Sequence, residues 1–226
     1  MPIATKTTLR SRTARLSPSA EDDAERDPEP TKSRRRHAPA EERREQILRA
    51  AYTCFAEKGY HAATMDDLGR ASGLSKGSLY WHFRSKEEVF LALFDSFAAE
   101  IYGAWDIAAA SGAGALEILQ REYEISVDFL LEDRMGLLAW AEFLNHPIGR
   151  QRMGEIYETA RNKMGTIIER GRSEGSILEG PPAAQIAATL IGSIEGLMLQ
   201  WLVDSEFLLK RQVEISWEIL MRGLRT

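Results

Sequence analysis

The chain is poor in the residues on which catalysis, cross-linking and metal binding most often depend. Its 226 residues include one cysteine, Cys54, and four histidines. A lone cysteine excludes an intrachain disulfide and gives no support to a thiolate metal site. It lies on the apolar side of a helical pattern, which suits packing, and the composition fits a reducing cytoplasm. His37, His61, His82 and His146 are scattered. No HExxH pattern, no Cys-His cluster and no Gly-rich phosphate loop occurs, and nothing gathers Ser, His and Asp together. The expectation is therefore no catalytic residue, no metal and no cofactor. Basic charge is not in excess either: the formal net charge is −5. No global field draws the chain to nucleic acid, so any DNA contact must come from a local basic surface. Long apolar runs are also scarce. The longest, 183–203, is interrupted by Gln185, Glu195 and Gln200 and reads as a buried helix rather than a membrane span. Residues 1–20 lack the apolar core of a secretory signal. Their Arg-, Ser- and Thr-rich, acid-free character superficially suits an organellar transit peptide. The favoured expectation is a cytoplasmic protein with no membrane partner.

What is present is hydrophobic content of 44% and charged content of 28%, enough for a sizeable soluble core. Residues 1–39 read as a disordered, charge-segregated arm, ending in the basic cluster Lys32-Ser33-Arg34-Arg35-Arg36. Such an arm either reaches a DNA groove or backbone or is simply solvated. From residue 40 onward the pattern is helical. Ile47, Leu48, Ala51, Cys54 and Phe55 recur at helical spacing over 40–58, and Gly59 ends that helix. Further helices are expected at about 86–110, 115–132, 134–145, 148–174, 183–203 and 206–224. No run alternates as a strand would. The fold class is all-α, about nine helices, with a three-helix front domain at 40–84 and a helical rear domain at 85–226.

The stretch 64–83 carries the function. Thr64 and Asp67 have capping-box spacing, and Leu68 and Ala71 are assigned to one face. Gly73 supplies a turn, and Ser75 caps the next helix. Leu79 and Phe83, four apart, share a face. The opposite face then carries Gly77, Ser78, Tyr80 and Trp81. Two large aromatics on the solvent side of a short helix suit a helix-turn-helix, whose second helix enters the major groove. There Gly77 allows close backbone approach. Tyr80 and Trp81 can touch thymine methyls, sugars and phosphates, while Lys76, His82 and Lys86 are placed for phosphates. Ser85 and Glu88 form a second capping-box pair at the head of the long helix.

The rear half gives weaker signals. Ala184, Ala188, Gly192 and Gly196 form a small-residue stripe on the helix at 183–203. Val213, Trp217 and Leu220 belong to an apolar stripe on the last helix. Both fit a helical dimer interface, with Ala188, Gly192, Gly196, Val213, Trp217 and Leu220 as its residues. Packing within one subunit is the alternative. Candidate ligand-binding residues are Trp105, Tyr123, Trp140, Phe143, Met164, Glu195 and Met198, since pockets are mostly apolar with a few placed polar groups. The same positions also suit an ordinary core.

Several blocks resemble the tetracycline-repressor-like (TetR) transcriptional regulators. They are Arg44-Glu45-Gln46-Ile47-Leu48-Arg49-Ala50-Ala51, Phe55-Ala56-Glu57-Lys58-Gly59-Tyr60, and Gly73-Leu74-Ser75-Lys76-Gly77-Ser78-Leu79-Tyr80-Trp81-His82-Phe83 with Ser85-Lys86-Glu87-Glu88. The resemblance implies a homodimer of nine-helix subunits whose front helices bind a palindromic operator and whose rear helices hold a small-molecule effector. It also implies DNA-contacting positions at Thr64, Ser75, Lys76, Gly77, Ser78, Tyr80, Trp81, His82 and Lys86. Asp66 departs from expectation, since it places an acid where a base would help phosphate binding. The resulting expectation is a ligand-released repressor. The alternatives are a dimeric protein-binding adaptor and a DNA binder without an effector.

Overall fold

In the computed structural model, residues 40–131, 141, 143–204 and 206–225 are described. The basic cluster at 32–36, most of the helix expected at 134–145, and Trp140 lie outside them. Eight helices are described: α1 Ala40–Ala62, α2 Met65–Ser72, α3 Lys76–His82, α4 Lys86–Ala109, α5 Ala115–Leu131, α6 Pro147–Ser173, α7 Ala183–Val203 and α8 Leu209–Leu224. The fold is all-α. Among the described residues the β-type pairing is a single isolated bridge between Ile177 and Arg225.

Local sequence explains most helix ends. Gly59, at φ 76°, kinks α1 where the apolar repeat stops, and one further turn follows it. The Thr64–Asp67 capping box is complete in both directions and opens α2. Gly73 closes α2 in the left-handed region. Ser85 accepts from the Glu88 backbone N–H at 3.2 Å. The reciprocal bond is shifted by one residue, because the Glu88 carboxylate takes the Arg84 N–H at 2.7 Å. The last helix starts at Leu209, later than the expected 206, because Asp204 Oδ1 accepts the Glu206 N–H and holds a turn there.

Two apolar clusters form. The front one joins Ile47, Leu48, Phe55, Leu68, Leu79 and Phe83 to Val89, Phe90 and Phe94 of α4, and also to Phe143 and Met153. Phe94 and Phe143 stack at 4.0 Å and 10°. Phe90 stacks on Tyr60 at 4.3 Å. Gly149 makes this junction possible: a Cβ there would sit 2.0 Å from the Phe143 carbonyl oxygen. The rear cluster is built from α4, α5, α6, α7 and α8 around Trp105, Leu119, Tyr123, Met164, Ile168, Leu190 and Trp217. Helix α7 is long and apolar enough to cross a membrane by length and composition. Here its Ala187, Leu190, Ile194 and Met198 are buried, and the opposite side is a row of small residues.

Candidate nucleic-acid interface and effector region

The front face is organised by burial. Leu79 and Phe83 anchor α3 in the core, almost fully buried. That turns Gly77, Tyr80 and Trp81 outward, with Tyr80 42% and Trp81 73% exposed. Burying a residue of this size is favourable by about 1.5–3 kcal/mol, so two exposed aromatics on a seven-residue helix are not there for the subunit's own stability. Ser75 accepts from the Ser78 N–H at 3.2 Å and fixes the start of the helix. A Cβ on Gly77 would meet nothing within 4 Å, so the subunit itself does not require glycine there. On α2, by contrast, the buried residues are Leu68, Gly69 and Ser72, and Ala71 is exposed. This corrects its assignment to the face of Leu68. The chain clamps Ser72 instead: its carbonyl accepts from Gln46 Nε2 of α1 at 2.7 Å.

Charge on this face is arranged in pairs. Asp67 accepts from Lys58 at 2.7 Å and Arg70 at 2.6 Å. Hydrogen bonds from Lys58 and Thr64 hold its carboxyl well below the usual carboxylate range. Asp66, which the sequence left unaccounted for, lies 3.0 Å from Lys76 Nζ. A shallow cleft of about 240 Å³ between α2 and α3 is rimmed by Asp66, Arg70 and Lys76. Burial, then the charges of Arg43 and Arg44, hold His82 below its ordinary pKa. Lys86 is not offered outward. Its ammonium donates to the carbonyls of Tyr60 at 2.6 Å, His61 at 3.2 Å and Ala63 at 2.8 Å, and lies over the Tyr60 ring at 4.4 Å. It fastens the end of α1 to the start of α4, its three N–H groups meeting three carbonyls in the DNA-free chain rather than standing outward as its expected phosphate role would suggest.

Of the expected ligand-binding residues, Trp105, Tyr123 and Met164 share the rear cluster, and Met198 is buried on α7. Phe143 belongs to the front cluster instead, because Gly149 lets it close on Phe94. Tyr123 is hydrogen-bonded to Ser193 at 3.0 Å and packs on Trp217 at 5.1 Å. Glu195 accepts from Tyr157 at 2.5 Å; burial raises its pKa and that bond opposes the rise. Sequence reasoning missed Glu122, a buried acid on α5. Its spacing from Ile118 and Leu119 was the available signal.

The expected dimer residues divide into two groups. Ala188, Gly192 and Gly196 are exposed, and a Cβ on either glycine would meet nothing within 4 Å. Leu199 and Val203 continue that exposed side. Val213 and Trp217 are buried in the subunit's own core, and Leu220 packs against it. Val213 and Trp217 are therefore held within the subunit, whereas Leu220 keeps part of its surface open. An apolar stripe shows that a face is covered without saying by what, and here α5 and α7 cover it.

Comparison with known proteins follows the same division of the chain. Residues 47–93 match the family description "Bacterial regulatory proteins, tetR family", and residues 132–225 match "BetI-type transcriptional repressor, C-terminal". The chain is 28% identical over 209 residues to the HTH-type transcriptional activator FasR of Mycolicibacterium smegmatis, covering 89% of this chain and 94% of that one. Among solved structures, the Bacillus subtilis transcriptional regulator FadR in complex with stearoyl-CoA has a TM-score of 0.69 at 24% identity, over 79% of this chain and 97% of that one. A complex of SmeT with triclosan has a TM-score of 0.70 at 21% identity, over 82% and 92%; SmeT is the repressor of a Stenotrophomonas maltophilia efflux pump.

Proposed function

The chain belongs to the TetR family of bacterial regulatory proteins and is a DNA-binding transcriptional regulator; from that premise we propose that it is a homodimeric repressor of a palindromic operator, released by a small apolar effector. The observation that carries the DNA-reading part is the orientation of α3. Leu79 and Phe83 hold it from below, while Gly77, Tyr80 and Trp81 stand outward on a capped helix. Tyr80 and Trp81 make the apolar and sugar contacts, Gly77 allows close approach, and Thr64, Ser75, Ser78, Lys76 and His82 serve the backbone. Lys86 acts as a positioning residue. The exposed stripe of Ala184, Ala188, Gly192 and Gly196 supports pairing through α7, because small residues let two helices approach closely.

Effector action is a population shift. Half-sites in successive major grooves lie about 34–36 Å apart, so a small change in the spacing of two heads removes several contacts. Helix α4 is the lever: Phe90 and Phe94 belong to the front core and Trp105 to the rear one. The stearoyl-CoA and triclosan held by FadR and SmeT, each with a large apolar part, support an effector whose body is apolar. The repressor sign is supported by the C-terminal family match, while FasR is an activator. The test is selection of bound sites from a random duplex library, with Tyr80→Ala as control. Enrichment of an inverted repeat, lost in the control, is expected. Failure of the folded dimer to enrich any site at low salt overturns the reading.

A further inference from the structure

One side chain in the rear core is out of keeping with its surroundings. Glu122 is 2% exposed, between the buried Ile118 and Leu119 on one side and Tyr123 on the other. Its main-chain carbonyl is doubly used, accepting from the Trp105 indole Nε1 at 3.1 Å and from Ser126 Oγ at 2.8 Å. Its carboxyl is not: Oε2 is buried and has no hydrogen-bond partner among the described residues. The cation whose charge acts on Glu122 is Lys163. That ammonium is paired with Asp106 and lies over the Tyr102 ring at 5.7 Å. Packing alone has no use for the group. Leucine or methionine would occupy comparable volume without desolvating a carboxyl, and an unmet buried acceptor in a native core calls for an explanation.

We propose that Glu122 is the cation-reading group of the effector site, and that it takes the protonated primary amine of a ligand whose body is aromatic or aliphatic. The inference rests on the reading of the rear domain as an effector domain. An ammonium brings the N–H donors and the charge that this carboxyl lacks, and such charge-assisted bonds are strongest away from water. Trp105, whose indole N–H reaches the Glu122 carbonyl, pairs with the Tyr102 ring at 5.6 Å, and such rings offer faces that favour a cation and an apolar body alike. Lys163 and Asp106, whose charges act on Glu122, are partly exposed; an exposed pair of this kind contributes little to stability and parts readily. The same carboxyl disfavours an acidic ligand, since two like charges in a dry site cannot both stay ionised. Burial holds the Glu122 carboxyl up to about 7, so it ionises readily when a cation arrives.

The experiment uses the full chain without DNA and three probes with one body: 6-phenylhexylamine, 6-phenylhexanol and 6-phenylhexanoate, each titrated calorimetrically. The amine is expected to bind at least about tenfold tighter than the alcohol, with the acid weakest. In Glu122→Gln, which keeps shape and removes charge, the amine and alcohol are expected to converge. A thermal melt checks that the variant is folded. Equal binding of the three probes, an amine preference that survives Glu122→Gln, or no binding of any probe overturns the proposal. DNA release is read separately. An amine that binds with the expected preference yet leaves DNA affinity unchanged keeps the Glu122 site and removes the effector reading.

Discussion

Lys76 Nζ and the Asp66 carboxylate lie 3.0 Å apart, joining the first turns of the two helices that form the reading face. Both side chains are largely exposed, so the pair adds little to folding. Its effect falls on binding, since an acid beside a phosphate-seeking lysine competes with DNA for that lysine. Asp66→Asn is therefore expected to tighten non-specific DNA binding about three- to tenfold and steepen its salt dependence by about one charge. Fluorescence anisotropy across a salt series measures both. An unchanged slope would sink the idea.

Tyr80 and Gly77 separate reading from folding. Tyr80→Ala is expected to leave stability within about 0.5 kcal/mol, since the ring is substantially exposed. It is also expected to weaken binding to the selected DNA site by about 1–3 kcal/mol, roughly 5- to 150-fold. Gly77→Ala is expected to raise helix stability by up to about 1 kcal/mol, because the added methyl meets nothing, yet to weaken DNA binding. Denaturant melts beside binding isotherms check the opposed signs.

Lys86 and Lys76 are expected to behave differently although both are lysines near the DNA face. Lys86→Met leaves three carbonyls without their donor and is expected to cost about 2 kcal/mol of stability. Its salt slope for DNA should stay near wild type. Lys76→Met is expected to do the reverse: normal melting, and a slope reduced by about one charge. A Lys86→Met protein with normal stability and a reduced slope would return that residue to a phosphate.

The two apolar stripes of the rear domain also have separable consequences. Gly192→Arg puts a long side chain into open space on the single subunit, so helicity should be retained while sedimentation shifts from dimer to monomer. Trp217→Ala opens a cavity beside Tyr123 and is expected to cost about 3–5 kcal/mol of subunit stability.

Glu122 gives stability a pH dependence of definite sign. Burial raises its folded pKa from 4.5 to about 7. Below about 4.5 both folded and unfolded forms are protonated and no penalty applies. As pH rises from there to about 7, the unfolded form releases its proton first, and stability falls, by on the order of 3 kcal/mol. Asp67 and Glu174, whose pKa values are lowered, act in the opposite sense and lose their contribution in acid. The difference between wild type and Glu122→Gln isolates the first effect: the variant should gain relative stability as pH rises from about 4.5 to about 7 and level off above it.

Short-range chemistry was readable before the structure was known. Thr64 with Asp67, Gly73, and Leu79 with Phe83 are local devices whose partners lie within four residues. What escaped involved distant chain. The three carbonyls that hold Lys86 lie some 25 residues away. Ala71 sits at the helical spacing of Leu68, but the tie from Gln46 draws Ser72 inward instead. Val213 and Trp217 were correctly seen as apolar, and only the fold could show that α5 and α7 cover them. Glu122 was passed over because an acid at core spacing is usually assigned to the solvent side of its helix.

The close approach of Gly149 to Phe143 bears on how such proteins can be recombined. The stack of Tyr60, Phe90, Phe94 and Phe143 crosses the junction between reading head and rear helices. A head cut free after residue 84 would leave behind the rings that complete its interior. A chimera that gives this rear domain a relative's head therefore has to transplant the first half of α4 as well. It must also keep glycine at 149, or the graft will be ill-fitting at its seam however faithfully the recognition helix is copied.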